Sequence, residues 1–200
     1  MDANRATARK AEKADFGWIG DVLTRAFHDD PASCYAMPSP DKRAKRSPRL
    51  FRAQARVVMD KGQVWVDSEQ RGAALWSAPG RWKDDFKHVV MFFPLLFLIG
   101  RDLPRATRVL RVLEAAHPER PHWYLDAIGT DPVHQGRGVG GALLAPVLTE
   151  CDASRVGAFL VASSPDNVPF YRRHGFEVTE THQIPEGPPL FSMWRDPAQS

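Results

Sequence analysis

Ile128-Gly-Thr-Asp-Pro-Val-His-Gln-Gly-Arg-Gly-Val-Gly-Gly-Ala-Leu-Leu144 is the stretch that decides the fold. It reads as the end of a strand, a loop turned at Asp131-Pro132, and a helix opened by glycines. Gly136, Gly138, Gly140 and Gly141 carry no Cβ, so a ligand can come close to the backbone there. The first amides of such a helix have no intrahelical partner, and the helix dipole is positive at that end. The segment therefore reads as a seat for a phosphate or pyrophosphate.

Three ligands could use the seat. A nucleoside triphosphate would want a Gly-Lys-Ser/Thr ending, which is absent. A dinucleotide fits better at first, because Gly136, Gly138 and Gly141 satisfy G-x-G-x-x-G. That fingerprint also needs an acidic residue about 20 positions on, at the end of the next strand. Here the place is held by Phe159-Leu-Val-Ala-Ser-Ser, with no acid. The third ligand is acetyl-CoA.

Outward from this stretch, His122 to Thr130 predicts a strand, Gly138 to Asp152 a helix and Val156 to Ser163 a second strand. A short helix over 166–174 and two terminal strands follow. Upstream, residues 4–10 read as an opening strand. A helix begins at Asp15, with Phe16, Ile19, Leu23 and Phe27 on one face, and His28-Asp-Asp-Pro31 closes it. A second helix spans about 41–61. A hairpin over 63–79 turns at Gln70-Arg71-Gly72, and two helical stretches span about 82–100 and 104–117. This order implies an α/β fold with a mixed sheet.

Gln135-Gly-Arg-Gly-Val-Gly140 resembles the acetyl-CoA signature of the GNAT acetyltransferases. Asn167-Val-Pro-Phe-Tyr-Arg-Arg-His-Gly-Phe176 resembles their second element, in the right order downstream. From about Lys61 onward the chain is more specifically similar to the puromycin N-acetyltransferases of actinobacteria. His117-Pro, His134-Gln-Gly-Arg-Gly-Val-Gly, Asn167-Val-Pro-Phe-Tyr and Pro185-Glu-Gly-Pro carry that likeness. The resemblance implies one N-acetyltransferase domain over 1–200, with a mixed, mostly antiparallel central sheet flanked by helices. Its cofactor core would span about 120–178, and a helical insert about 82–118 would precede the cofactor strand.

The implied reaction is attack of a small-molecule primary amine, for example an aminonucleoside antibiotic, on the acetyl thioester. Acetylation of protein N-termini or lysines, and acyl-CoA binding without turnover, stand as alternatives. Ile128, Gly129, Thr130, Gln135, Gly136, Arg137, Gly138, Val139, Gly140, Gly141 and Asn167 are the expected cofactor contacts. The likeness makes Tyr171 the acid for the departing thiolate, a role suited to a phenol that stays protonated at neutral pH. Strand alternation puts His122, Tyr124 and Asp126 on one face, toward the acceptor, and Trp123, Leu125 and Ala127 on the other, toward the core. The puromycin enzymes carry a glutamate where this chain has Val161, so Asp126 is the expected substitute base. Phe93 and Phe97, in the insert, are expected to line an apolar acceptor site.

Composition narrows the rest. The 200 residues are 43% hydrophobic and 26% charged, the balance of an ordinary globule, with a formal net charge of +3. Much of the excess lies in Lys42, Arg43, Lys45, Arg46, Arg49, Arg52 and Arg56, read as a solvated helix face. No motif accompanies them that would indicate nucleic acid. Cys34 and Cys151 are isolated, and His117, His134 and His174 lack ligand spacing, so neither a disulfide nor a metal is expected. Val89 to Ile99 is apolar but about half the length of a membrane span and broken by Pro94. The N-terminus lacks a secretory pattern. A cytoplasmic enzyme follows, with monomer and homodimer both open.

Overall fold

The computed structural model describes residues 6–82 and 100–198. The helices are α1 (Phe16–Ala26), α2 (Pro31–Ala36), α3 (Pro40–Lys61), α4 (Leu103–Ala115), α5 (Val139–Ser154) and α6 (Val168–Arg172). The strands are β1 (Ala8–Lys10), β2 (Gly62–Asp67), β3 (Gly72–Ser77), β4 (His122–Thr130), β5 (Gly157–Ala162), β6 (Glu177–Gln183) and β7 (Pro189–Arg195). They form one seven-stranded sheet in the order β1-β2-β3-β4-β5-β7-β6. Every neighbouring pair is antiparallel except β4 with β5. That pair is parallel because α5 carries the chain back across the sheet between them. Of the insert expected over about 82–118, residues 83–99, and with them Phe93 and Phe97, lie outside the described residues.

Two apolar layers sandwich the sheet. On one face the α1 stripe of Phe16, Ile19 and Leu23 packs with Val58 of α3 against Val64, Val66 and Leu75. On the other, Leu143, Leu144, Val147 and Cys151 of α5 pack against Trp76, Trp123, Leu125 and Leu160. Burial of each such side chain contributes roughly 1.5–3 kcal/mol.

Simple alternation fails at one place in β4. Leu75 pairs with Ala127 and Trp76 with Leu125, so Asp126 is an extra residue on that strand. It forms a β-bulge, which bends and twists the strand that carries it. Beyond the bulge the parity changes. Ala127, expected on the face of Trp123 and Leu125, packs instead with the α1 layer. Gly129 also faces α1, where a Cβ would fall 2.7 Å from the Ala26 side chain.

Two further expectations are corrected. Pro31 does not merely end the first helix; it occupies the first turn of α2, whose N-cap Asp30 accepts from the Ser33 amide at 2.8 Å. Within the basic run, Arg43 is not on a solvated face but is buried. Its guanidinium donates to the carbonyls of His28, Met37 and Pro38 at 2.8–2.9 Å, bracing both ends of the segment that holds α2.

Candidate active site

β5 pairs with β4 only from His122↔Gly157 to Leu125↔Leu160, although β4 continues to Thr130. The strands diverge after Leu125, immediately ahead of the bulge. A cleft of about 830 Å³ opens between them, with the α5 N-terminus, α6 and the residues just before α2 on its walls.

The cradle lines this cleft. Ile128, Gly129, Thr130, Gln135, Gly136, Gly138, Val139, Gly140 and Gly141 all line it, whereas Arg137 is exposed outside it. The first bond within the helix runs from the Ala142 amide to the Gly138 carbonyl at 3.0 Å. The amides of Val139, Gly140 and Gly141 therefore face the ligand side without helical partners, as a pyrophosphate requires. Gly138, the N-cap, has φ +79°, a conformation costly for other residues. Gly140 and Gly141 serve packing as much as ligand approach. A Cβ on them would fall 3.0 Å from the Phe170 ring and 3.1 Å from the His174 ring, so a side chain there would push both rings back from α5.

Two more side chains lie beside the cradle. Asp131 accepts from Arg25 Nε at 2.7 Å and from the Val133 amide at 3.3 Å. Burial alone would raise this carboxyl, but the two donors outweigh it and hold the group below its ordinary range. Asn167 lines the cleft from the turn that precedes α6.

Tyr171 projects from α6 into the same cleft and is buried. Phe176 packs edge-on at 6.1 Å and Phe170 at 5.2 Å, fixing the ring. Burial, and secondarily the charge of Asp30, push the phenol above its ordinary value. It is therefore a proton donor throughout the physiological range.

The polar trio of β4 does not act as one group. Asp126 lines the cleft and accepts from the Ser77 hydroxyl at 2.6 Å. His122 and Tyr124 lie away from it, in an aromatic cluster with His117 and Phe159. Burial depresses the His122 imidazole and outweighs the hydrogen bond between its Nδ1 and the Arg120 carbonyl at 2.7 Å, which acts the other way. Burial and then Asp126 raise the Tyr124 phenol. Val161 lines the cleft and packs with Ile184 and Leu190, an apolar wall.

Asp30 and Ser163 also line the cleft, and neither belongs to a catalytic or cofactor motif of the sequence. The Ser163 hydroxyl donates to the Asp30 carboxylate across the gap between β5 and α2. Asp-Pro is a legible N-cap signal, but nothing local shows that the capping carboxylate also faces a cleft built by residues more than a hundred positions away. Among the described residues no group of His, Cys, Asp and Glu could hold a metal, and no helix is long and apolar enough to cross a membrane.

Residues 112–196 match the acetyltransferase (GNAT) domain family. The whole chain is similar to a Corynebacterium glutamicum structure described as histone acetyltransferase HPA2 and related acetyltransferase. That likeness is 28% identical, covers 98% of each chain and has a TM-score of 0.71. It also resembles arylalkylamine N-acetyltransferase 2 of Aedes aegypti, at 12% identity, 96% and 99% coverage and TM-score 0.70. A putative acetyltransferase of Salmonella typhimurium with acetyl-CoA aligns at 17% identity, 98% and 96% coverage and TM-score 0.55. The diverging strands, the amide cradle and the match over residues 112–196 agree: the fold is that of the GNAT acetyltransferases, and the chain is an N-acetyltransferase with acetyl-CoA as its cosubstrate.

Proposed function

We propose that the protein acetylates the primary amine of a small molecule, with aminonucleosides such as puromycin the first candidates. One observation carries the size of the acceptor. α2 packs beside the cleft, which Asp30 and Pro31 line, and the Tyr35 hydroxyl donates to the Pro185 carbonyl at 2.7 Å, tying α2 to the β6–β7 turn. Ala32, Ile184 and Leu190 seal that junction, with Val161 and α4 packed on it. An extended peptide would need an open groove here.

Bound acetyl-CoA supplies the thioester whose acetyl group is transferred. The cradle amides hold its pyrophosphate, and the edge of β4 from Ile128 to Thr130 orients the arm beside it. Orientation of the two reactants contributes several kcal/mol, up to ~10. Tyr171 donates its proton toward the departing sulfur. Asp126, fixed by Ser77, receives the proton that the acceptor ammonium sheds.

A lysine-bearing protein is the second reading, favoured by the 28% identity to the Corynebacterium glutamicum structure described as histone acetyltransferase HPA2 and related acetyltransferase. Thiol release from acetyl-CoA separates the two. The panel holds puromycin, other aromatic aminonucleosides, alkylamines and a lysine-rich peptide, with Tyr171→Phe as control. Release with small amines, reduced about a hundredfold in kcat by the substitution, is expected. Release with the peptide alone would overturn the small-molecule reading.

A further inference from the structure

We propose that Asp30 is the residue that reads the acceptor's charge: its carboxylate holds the ammonium of an aliphatic primary amine between α2 and β5 and thereby selects cationic over neutral amines. This rests on the acetyltransferase reading of the cleft and adds a specificity residue to it.

The first ground is an unpaired charge. Asp15, Asp21, Asp67, Asp102, Asp131 and Asp152, all buried or half-buried, each face an arginine or lysine. Asp30 is also half-buried, yet its partners among the described residues are neutral: the Ser163 hydroxyl and the Ser33 amide. Partial burial of a carboxylate without a cation carries a desolvation cost that neutral donors do not fully offset. A cation that arrives with the substrate completes the pairing, and charge-assisted hydrogen bonds are the stronger kind.

The second ground is capacity and aim. A carboxylate offers about four lone-pair sites, and the two protein donors leave the others open to an ammonium. The group faces the cleft. Tyr171 lines the same cleft.

The third ground is preorganisation. Asp30 is the N-cap of α2, pinned by Ser33 on one side and Ser163 on the other. Arg43 holds the carbonyls of His28 and Met37 on either flank. The carboxylate is thus fixed before the substrate arrives, which lowers the ordering cost of binding.

The test uses the full chain loaded with CoA, so that nothing turns over, titrated at pH 7 by calorimetry. The probes are phenethylamine and 1,4-diaminobutane, both cationic, and aniline, which is neutral. Asp30→Asn retains a good N-cap, and CoA affinity together with Tm reports on the fold. Expected is roughly ten- to a hundredfold weaker binding of the cationic probes in Asp30→Asn, with aniline and CoA unchanged. Ser163→Ala, which leaves the charge in place, should keep the preference for cations. Equal weakening of aniline, no weakening at all, or failure of the CoA-loaded wild type to bind either cationic probe would overturn the assignment. Failure of CoA itself to bind would instead remove the acetyltransferase reading beneath it.

Discussion

At the scale of single residues, two ionisable groups in one cleft are assigned opposite tasks by their surroundings. Tyr171 is buried, and burial together with Asp30 keeps its proton on. The rate lost in Tyr171→Phe should therefore be the same from pH 6 to pH 9, because the phenol does not titrate in that window. Asp126 is oriented by the Ser77 hydroxyl and opens onto the cleft. Asp126→Asn preserves the bond from Ser77, since an amide oxygen accepts as a carboxylate does. It should lower kcat/KM by about 10²–10⁴ and remove the acidic limb of the pH profile. An unchanged kcat/KM at every pH would show that the proton leaves by another route. Tyr171 was legible because its motif fixes its place on a short helix. Asp30 was not, because its partner Ser163 is separated from it by 133 residues.

At the scale of elements, the bulge is the feature that makes a site out of a sheet. Parallel pairing with β5 ends at Leu125, the residue before the bulge, and the cleft begins there. Deleting Asp126 would let Leu125 and Ala127 follow one another opposite Trp76 and Leu75. Both would keep their present faces, so the core pattern survives. The deletion should thus unfold cooperatively in urea like the wild type, while acetyl-CoA affinity falls on the order of a hundredfold as the straightened strand closes the cleft. Asp126→Asn, which retains the bulge, should keep that affinity. Loss of cooperative unfolding in the deletion would mean that the bulge serves the core rather than the cleft. The extent of β4, the glycine-opened α5 and the α1 stripe were all legible, because periodicity and glycine punctuation act locally. The bulge was not: an inserted residue in a nine-residue strand looks like ordinary alternation until the partner strand supplies the register. α2 was hidden for a related reason, since Pro31 stops one helix and starts the next.

At the scale of the whole molecule, the strands on either side of the cleft are held by an aromatic cluster rather than by a continuous ladder. His122 belongs to it, opposite Gly157, with ring contacts to Phe159 of β5 at 5.4 Å and Trp194 of β7 at 5.7 Å. Its Nε2 is buried with no hydrogen-bond partner among the described residues. Burial depresses the imidazole below its ordinary value of 6.5. The sign of the stability effect follows from proton uptake. Above about pH 6.5 both folded and unfolded chains hold a neutral imidazole, and the contribution is complete. As pH falls below that value the unfolded chain takes up a proton while the folded one does not, and stability is lost until the folded group also titrates. One such group contributes a slope of at most about 1.4 kcal/mol per pH unit. Urea unfolding of the wild type between pH 7.5 and 5 should show this decline, and His122→Phe, which keeps a ring at the junction, should show a shallower one. Parallel profiles for the two proteins would mean that the junction tolerates the imidazolium. Because β4 and β5 are joined only through their first residues, a weakened junction should also loosen the cleft, so acetyl-CoA affinity should fall over the same pH range and fall less in His122→Phe.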